Sequence, residues 1–301
     1  MCYDAEYIAK KQLKEGLKRG APKEYLDKLW LNLVKAEQER FGINPVFTHN
    51  WDSESRDIQI GDNYHVSGFS RPWAFLLTDH IKPQYELARW GYVPTWVKNE
   101  SEVMDYKKPY NLNLNAQSES MFKSRAFSHS ARHKRCVIQL DAYYEHHDHK
   151  GKKYPFRISH VNGNLWVAGL YENNEFIDQE SGEMNSYSTF ALVTCKANNI
   201  LSKIHNNPKM VARTGHRMLA LLDEDQIAAY LKPFPITEDK KEEELFEMSI
   251  INLCQPYDED LLTYQTVRNL KPRKDMEYLG NVPTIREEYV WPELDLKQIL
   301  S

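Results

Sequence analysis

The sequence predicts an α+β fold: a compact, sheet-rich body with peripheral helices and a helical hairpin close to the N-terminus. Three patterns predict it. Apolar residues recur at helical spacing early in the chain, with Ile8, Leu13 and Leu17 in one stretch and Leu26, Leu29, Trp30, Leu33 and Val34 in the next. From Asn44 the chain turns to short aromatic and β-branched runs broken by Gly and Pro, which is how strands read. The acidic segments LDEDQIAAYLKPF and DKKEEELFEM are helical again, with a solvated face. At 301 residues and 41% hydrophobic content the chain can bury a real core, and no repeat, linker or compositional break divides it. Residues 1–301 therefore read as one domain.

In order, helices are expected from about Ala5 to Arg19 and from Lys23 to Arg40, with Gly20 and Gly42 as stops and Pro22 at a first turn. This hairpin, about residues 5–41, reads as a packing accessory. NPVFTHN, YHVSGFSRPWAFLLTD and YELARWGYVPTW read as strands. Within the last, Trp90, Pro94 and Trp96 offer a surface on which an unpaired base can stack, worth about 1–3 kcal/mol per base. Residues 105–135 are polar and basic, with Lys107, Lys108, Lys123, Arg125, Arg132, Lys134 and Arg135 interleaved with Phe122 and Phe127. They read either as a solvated loop face or as a groove tracking a single-stranded backbone.

A strand is expected over Cys136–Tyr144, a turn over His149–Lys152 and a returning strand, with Glu145 at the hairpin mouth. His146, His147 and His149 alternate faces on a strand, so at most alternate members converge, and no metal is expected. NLWVAGLYENNEF and SYSTFALVTCKANNIL follow as strands, the second passing into a helix near Ala197 that ends at His205. Short strands and loops resume after it, with a C-terminal tail over about 276–301.

A net charge of −4 excludes a global basic field, so local clusters must carry any affinity for nucleic acid. Cys2, Cys136, Cys195 and Cys254 show no CxxC spacing, which argues against a zinc knuckle or disulfide framework and for a reducing cytosol. The N-terminus lacks an apolar h-region and no apolar run approaches membrane-spanning length, so a soluble, unexported protein is expected.

The chain begins Met1-Cys2. Removal of the initiator leaves Cys2 with a free thiol and a free α-amine, whose reference pKa values of about 8.5 and 8 make both partly nucleophilic near neutral pH. The amine attacks an aldehyde to give an imine. The thiol then closes onto the same carbon as a thiazolidine.

Taken in order, the segments resemble the SRAP family, the SOS response-associated peptidases, whose members bind single-stranded DNA and cross-link to abasic sites. The resemblance lies in Met1-Cys2, RWGYVPTW (Arg89 to Trp96), NAQSES (Asn115 to Ser120), RCVIQLDAYYEH (Arg135 to His146), VAGLYE (Val167 to Glu172) and TCKANNILSKIH (Thr194 to His205). It implies a barrel-like sheet. It also implies that Cys2 is the cross-linking nucleophile, with Asn115, Glu145 and His205 beside it. His205 can move a proton as the closed sugar opens, and Glu145 can take one from the Cys2 amine or assist the imine and its reversal. Asn115 can hydrogen-bond the sugar oxygen or the amine. Glu145 and His205 could exchange tasks. Arg89, Trp90, Trp96, Lys123, Arg125 and Arg135 are the expected DNA contacts.

The chain also departs from the family pattern. Tyr3-Asp4 stands where members have Gly-Arg, Gln117 replaces an Arg, His146 a Trp, and Leu219 a Pro after Arg217-Met218. NNPKMVARTGH is inserted after His205. Two phosphate clamps are thereby lost, for which Lys123, Arg125 or Arg213 could substitute, and Asp4 would repel phosphate unless its loop turns away. The expected function is an abasic-site shield on single-stranded DNA, with lyase cleavage by β-elimination where only the imine forms. The alternatives are a cysteine peptidase using Cys2 with His205 and Glu145 or Asn115, and a non-catalytic single-strand-binding module. No cofactor, no membrane partner and a monomer are expected, in the cytoplasm and on the nucleoid when bound to DNA.

Overall fold

The computed structural model describes residues 3–41, 60–97, 113–177, 182–272, 276 and 278–300. Cys2, the segment NPVFTHN and the pair Lys107-Lys108 lie outside them.

The chain opens not in a helix but in strand β1 (Asp4–Ile8). This corrects the expected helix start at Ala5. The segment DAEYI is flanked by two strands that satisfy its backbone, β2 (Asp62–Ser67) and a later strand at Ala142–Tyr144, and this pairing outweighs the helical spacing of its apolar residues. Helices α1 (Ala9–Lys18) and α2 (Lys23–Phe41) then form the hairpin. Gly20, at φ 92°, ends α1 in a Schellman motif: Gly20 N–H reaches Leu17 O and Ala21 N–H reaches Gly16 O, each at 3.0 Å.

Strands β3 (Trp73–Asp79) and β4 (Gln84–Trp90) form a hairpin, and β5 (Asn115–Gln117) and helix α3 (Ser128–His133) lead to β6 (Arg135–Leu140). The single strand expected from Cys136 to Tyr144 is two. The chain breaks at Asp141 and continues as β7 (Ala142–His149) in another sheet, and β8 (Lys152–His160) returns beside it. Lys150 and Gly151, at φ 51° and 77°, make the tight turn between them. Glu145 thus sits mid-strand opposite Phe156, not at the hairpin mouth.

Strands β9 (Leu165–Ile177) and β10 (Met184–Lys196) are long and antiparallel. Helices α4 (Asn199–Ile204) and α5 (Pro208–Thr214), short strands β11 (Arg217–Leu219) and β12 (Leu221–Leu222), helices α6 (Gln226–Leu231) and α7 (Lys240–Leu253), strand β13 (Leu262–Thr266) and helix α8 (Leu296–Leu300) complete the order.

Two sheets result. One is open, in the order β13-β8-β7-β1-β2. In the other, β10-β4-β3-β6-β9 closes on itself through the β9–β10 pairing, giving a five-stranded barrel with β5, β11 and β12 attached. Closure brings strands so near that β9 carries Gly169 between Cys136 of β6 and Leu192 of β10. A Cβ at residue 169 would meet Ile138 Cδ1 at 2.3 Å and Cys136 Sγ at 2.9 Å. One apolar core joins both sheets and the hairpin, with Tyr7, Leu13, Trp30, Phe75, Trp90, Tyr143, Phe156 and Leu192 among its members.

Candidate active site

The β1–β7 ladder pairs Asp4 with Tyr144. One step further along the two strands lie Tyr3 and Glu145, so the N-terminal end of β1 lies beside Glu145. From the other side, α4 ends at His205, whose N–H donates to Leu201 O at 2.8 Å. Asn198 starts this helix as an N-cap, accepting from Leu201 N–H. Tyr3, Asp4, Glu145, His146 and His205 line a common cavity of about 70 Å³.

Burial sets the protonation of both central groups. Glu145 is 5% exposed, and desolvation pushes its carboxyl above the ordinary glutamate range. His205 is 4% exposed, and burial, with the nearby His216 and Arg217, lowers it to about 3, so the ring is neutral at pH 7. Its Nδ1 accepts the Arg217 backbone N–H at 3.4 Å, which leaves the proton of the neutral ring on Nε2. His216 Nδ1 donates to His205 O at 2.9 Å. The Arg217 guanidinium is fixed in turn by both carboxylate oxygens of Glu119, at 2.7 and 2.9 Å.

The insertion after His205 is part of the wall. It folds as α5, capped by the Asn207 side chain, and Asn207 and Met210 face the cavity. Asn206 clamps it to β7: Oδ1 accepts from Asp148 N–H at 2.7 Å and Nδ2 donates to Asp148 O at 2.9 Å. These wall residues carried no motif of their own. Their one sequence signal was an insertion placed directly after His205.

Asp4 is buried at 3% exposure and accepts a 3.1 Å hydrogen bond from His65 Nε2. Burial works to raise its pKa, but the His65 hydrogen bond and charge prevail and hold the carboxyl below its ordinary value. Its charge is therefore committed to His65. His146, where the family pattern has Trp, is brought down to about 4, chiefly by burial. His147 turns away and donates Nδ1–H to Lys203 O at 2.9 Å. No group of three His, Cys, Asp or Glu among the described residues could hold a metal ion.

Of the expected catalytic residues, Glu145 and His205 line this cavity. Asn115 opens β5 beside Leu192 of β10 and is not among the residues lining the cavity. The strand that Asn115 opens is joined to the His205 side by the ladder: Gln117 pairs with Thr194, and Arg217 Nη2 donates to Thr194 O at 2.6 Å. Two expected DNA contacts are corrected. Trp90 is 1% exposed, stacks on Phe190 and donates Nε1–H to Leu114 O at 2.8 Å, so no face is open to a base. Arg135 is 6% exposed and donates to main-chain oxygens of Tyr230, Ala131, Arg132 and Lys232, binding the ends of α3 and α6 together. Lys123 and Arg125 are exposed, Arg125 lying over Trp96 at 4.9 Å, and Arg89 lies over Trp73 at 4.6 Å.

Among solved structures, a protein from Bacteroides thetaiotaomicron is similar at a TM-score of 0.65 and 22% identity, covering 96% of this chain and all of that one, which shows the shared fold. The protein named "Abasic site processing protein YoqW" from Bacillus subtilis (strain 168) is 30% identical over 67% of this chain and 79% of its own length. "Abasic site processing protein YMR114C" from Saccharomyces cerevisiae is 28% identical over 43% of this chain and 32% of its own. The family model described as SOS response associated peptidase (SRAP) matches residues 32–270. No described helix is long and apolar enough to cross a membrane. With most of its length matched by that model, the chain belongs to the SOS response associated peptidase (SRAP) family.

Proposed function

We propose that the protein processes abasic sites in single-stranded DNA by covalent capture, with Cys2, freed of Met1, as the nucleophile. The observation that carries this reading is the cavity holding Glu145 and His205: Tyr3 lines it, and Cys2 is the residue that precedes Tyr3 in the chain. The names of the relatives support the substrate.

The Cys2 amine adds to the C1′ aldehyde of the opened sugar, water leaves to give the imine, and the thiol adds to the same carbon. One water is released, and nitrogen and sulfur end on one carbon. Glu145 suits the proton transfers, because burial raises its carboxyl above the ordinary glutamate range and so favours the form that carries a proton. His205, neutral at pH 7, offers Nε2–H as a hydrogen-bond donor to the sugar oxygen rather than as a strong acid. Asn115 acts through the β5–β10–β11 ladder that positions His205. Lys123, Arg125 and Arg89 supply backbone contacts, with Trp96 as a base platform.

The test is a denaturing gel of protein, its N-terminus verified by intact mass, with single-stranded DNA carrying one abasic site, beside Cys2→Ala. A heat-stable shifted band lost in Cys2→Ala is expected. No band from protein with a free Cys2 overturns covalent capture and turns attention to peptidase activity or to simple strand binding.

A further inference from the structure

A second cavity, of about 570 Å³, shares no lining residue with that of Glu145 and His205. It lies where the β3–β4 turn faces the ends of α3 and α6, and its size falls in the range of about 300–1,000 Å³ typical of small-molecule sites. The charge in its wall is unbalanced. Arg135, buried, gives its N–H groups to main-chain oxygens and to no carboxylate among the described residues. Lys232 stands at the α6 C-cap, exposed and with no ion pair among the described residues. Arg132 is neutralised by Glu247. Among the described residues the one lining carboxylate is Asp79, and it is engaged in its own turn, where Oδ1 accepts the N–H groups of Ile81 and Lys82 at 2.8 and 3.1 Å.

The rest of the wall is aromatic and apolar. Phe234 and Tyr171 present rings, and Ile81 at the mouth is 88% exposed. A bare inorganic anion would leave these surfaces wet, and a neutral planar molecule would leave Lys232 without a partner and the charge of Arg135 without a counter-ion. We propose that this cavity binds a small phosphorylated aromatic ligand of the mononucleotide class, its phosphate on Lys232, with the buried Arg135 contributing charge rather than a hydrogen bond, and its ring against Phe234 and Tyr171.

The test is calorimetric titration of the full chain with deoxyadenosine monophosphate, deoxyadenosine and inorganic phosphate in turn. The monophosphate is expected to bind saturably, at least about tenfold tighter than either fragment, because only it meets both halves of the wall. Lys232→Glu, at an exposed position, is expected to weaken it by about tenfold or more with an unchanged melting curve. Phe234→Ala is expected to weaken it while leaving phosphate binding as it was. Cys2→Ala is expected to bind the monophosphate as wild type does. Binding lost in Cys2→Ala, insensitive to Lys232→Glu, equal for phosphate alone, or absent at millimolar ligand would each overturn the proposal.

Discussion

Burial shifts Glu145 and His205 in opposite directions on the pH scale, and in each case against charge. On the proposed reading this separates their work, with Glu145 carrying protons and neutral His205 directing a hydrogen bond. Glu145→Gln keeps the shape and removes the proton carrier, so the cross-linking rate is expected to fall by about 10²-fold or more, read from a gel time course with folding checked by circular dichroism. The lowered His205 also makes a stability prediction. Between its folded value of about 3 and its ordinary value of 6.5, the unfolded chain binds a proton that the folded chain excludes, so stability rises with pH across that window. Acid unfolding in urea should show His205→Asn losing less stability than wild type between pH 7 and 4, by on the order of 3 kcal/mol. Asp4 acts lower on the scale: its contribution is present above about 3.8 and is lost as pH falls through its depressed value. Sequence reading named Glu145 and His205 because they sit in ordered motifs, and one cavity has both in its wall. It could not find the partner of Asp4, because His65 is 61 positions away and no local pattern joins them.

At the scale of elements, α5 turns an insertion without a motif into a wall of the cavity, held by the Asn206 amide on both backbone groups of Asp148. Asn206→Ala removes both bonds. It should cost about 1–2 kcal/mol of stability and slow cross-linking about tenfold, as His205 loses its brace. Equal rates in the two proteins would make α5 a bystander. Composition misled in two places. A basic run with interleaved aromatics reads as a strand-tracking groove, but nothing in it says that four main-chain oxygens at two helix ends will claim Arg135. Likewise RWGYVPTW offers two indoles, and only the closed sheet decides that Trp90 turns inward while Trp96 stays part-exposed beside Arg125. Trp90→Ala should accordingly cost about 3–5 kcal/mol in denaturant unfolding, a core effect rather than a lost base contact. The first strand was read as helix because Ile8, Leu13 and Leu17 fit one helical stripe. Its true partners, β2 and β7, come about 60 and 140 residues later.

At the scale of the molecule, the short strands were legible one by one and their closure was not. Alternation and turn residues are local, whereas the barrel is shut by pairings such as Phe190 with Trp90 and Leu192 with Gly169, the first of them across a hundred positions. Only family resemblance pointed to a barrel. Gly169 is where closure is tightest, and Gly169→Ala should destabilise the fold by about 1–3 kcal/mol, measured as a lowered midpoint in denaturant. The barrel and the open sheet share one core, and the cavity is built by the open sheet's β1 and β7 together with α4 and α5, which follow the barrel strand β10. The central claim is that chemistry at Cys2 is aimed by this frame, and the most direct measurement is mass spectrometry of the digested protein–DNA adduct, with and without borohydride. The account predicts an N-terminal peptide beginning at Cys2, heavier by the sugar aldehyde less one water, and taking up no hydrogen from borohydride because nitrogen and sulfur already share the carbon. An adduct mapped to a lysine such as Lys153, or one that gains two hydrogens as a simple imine, would contradict it.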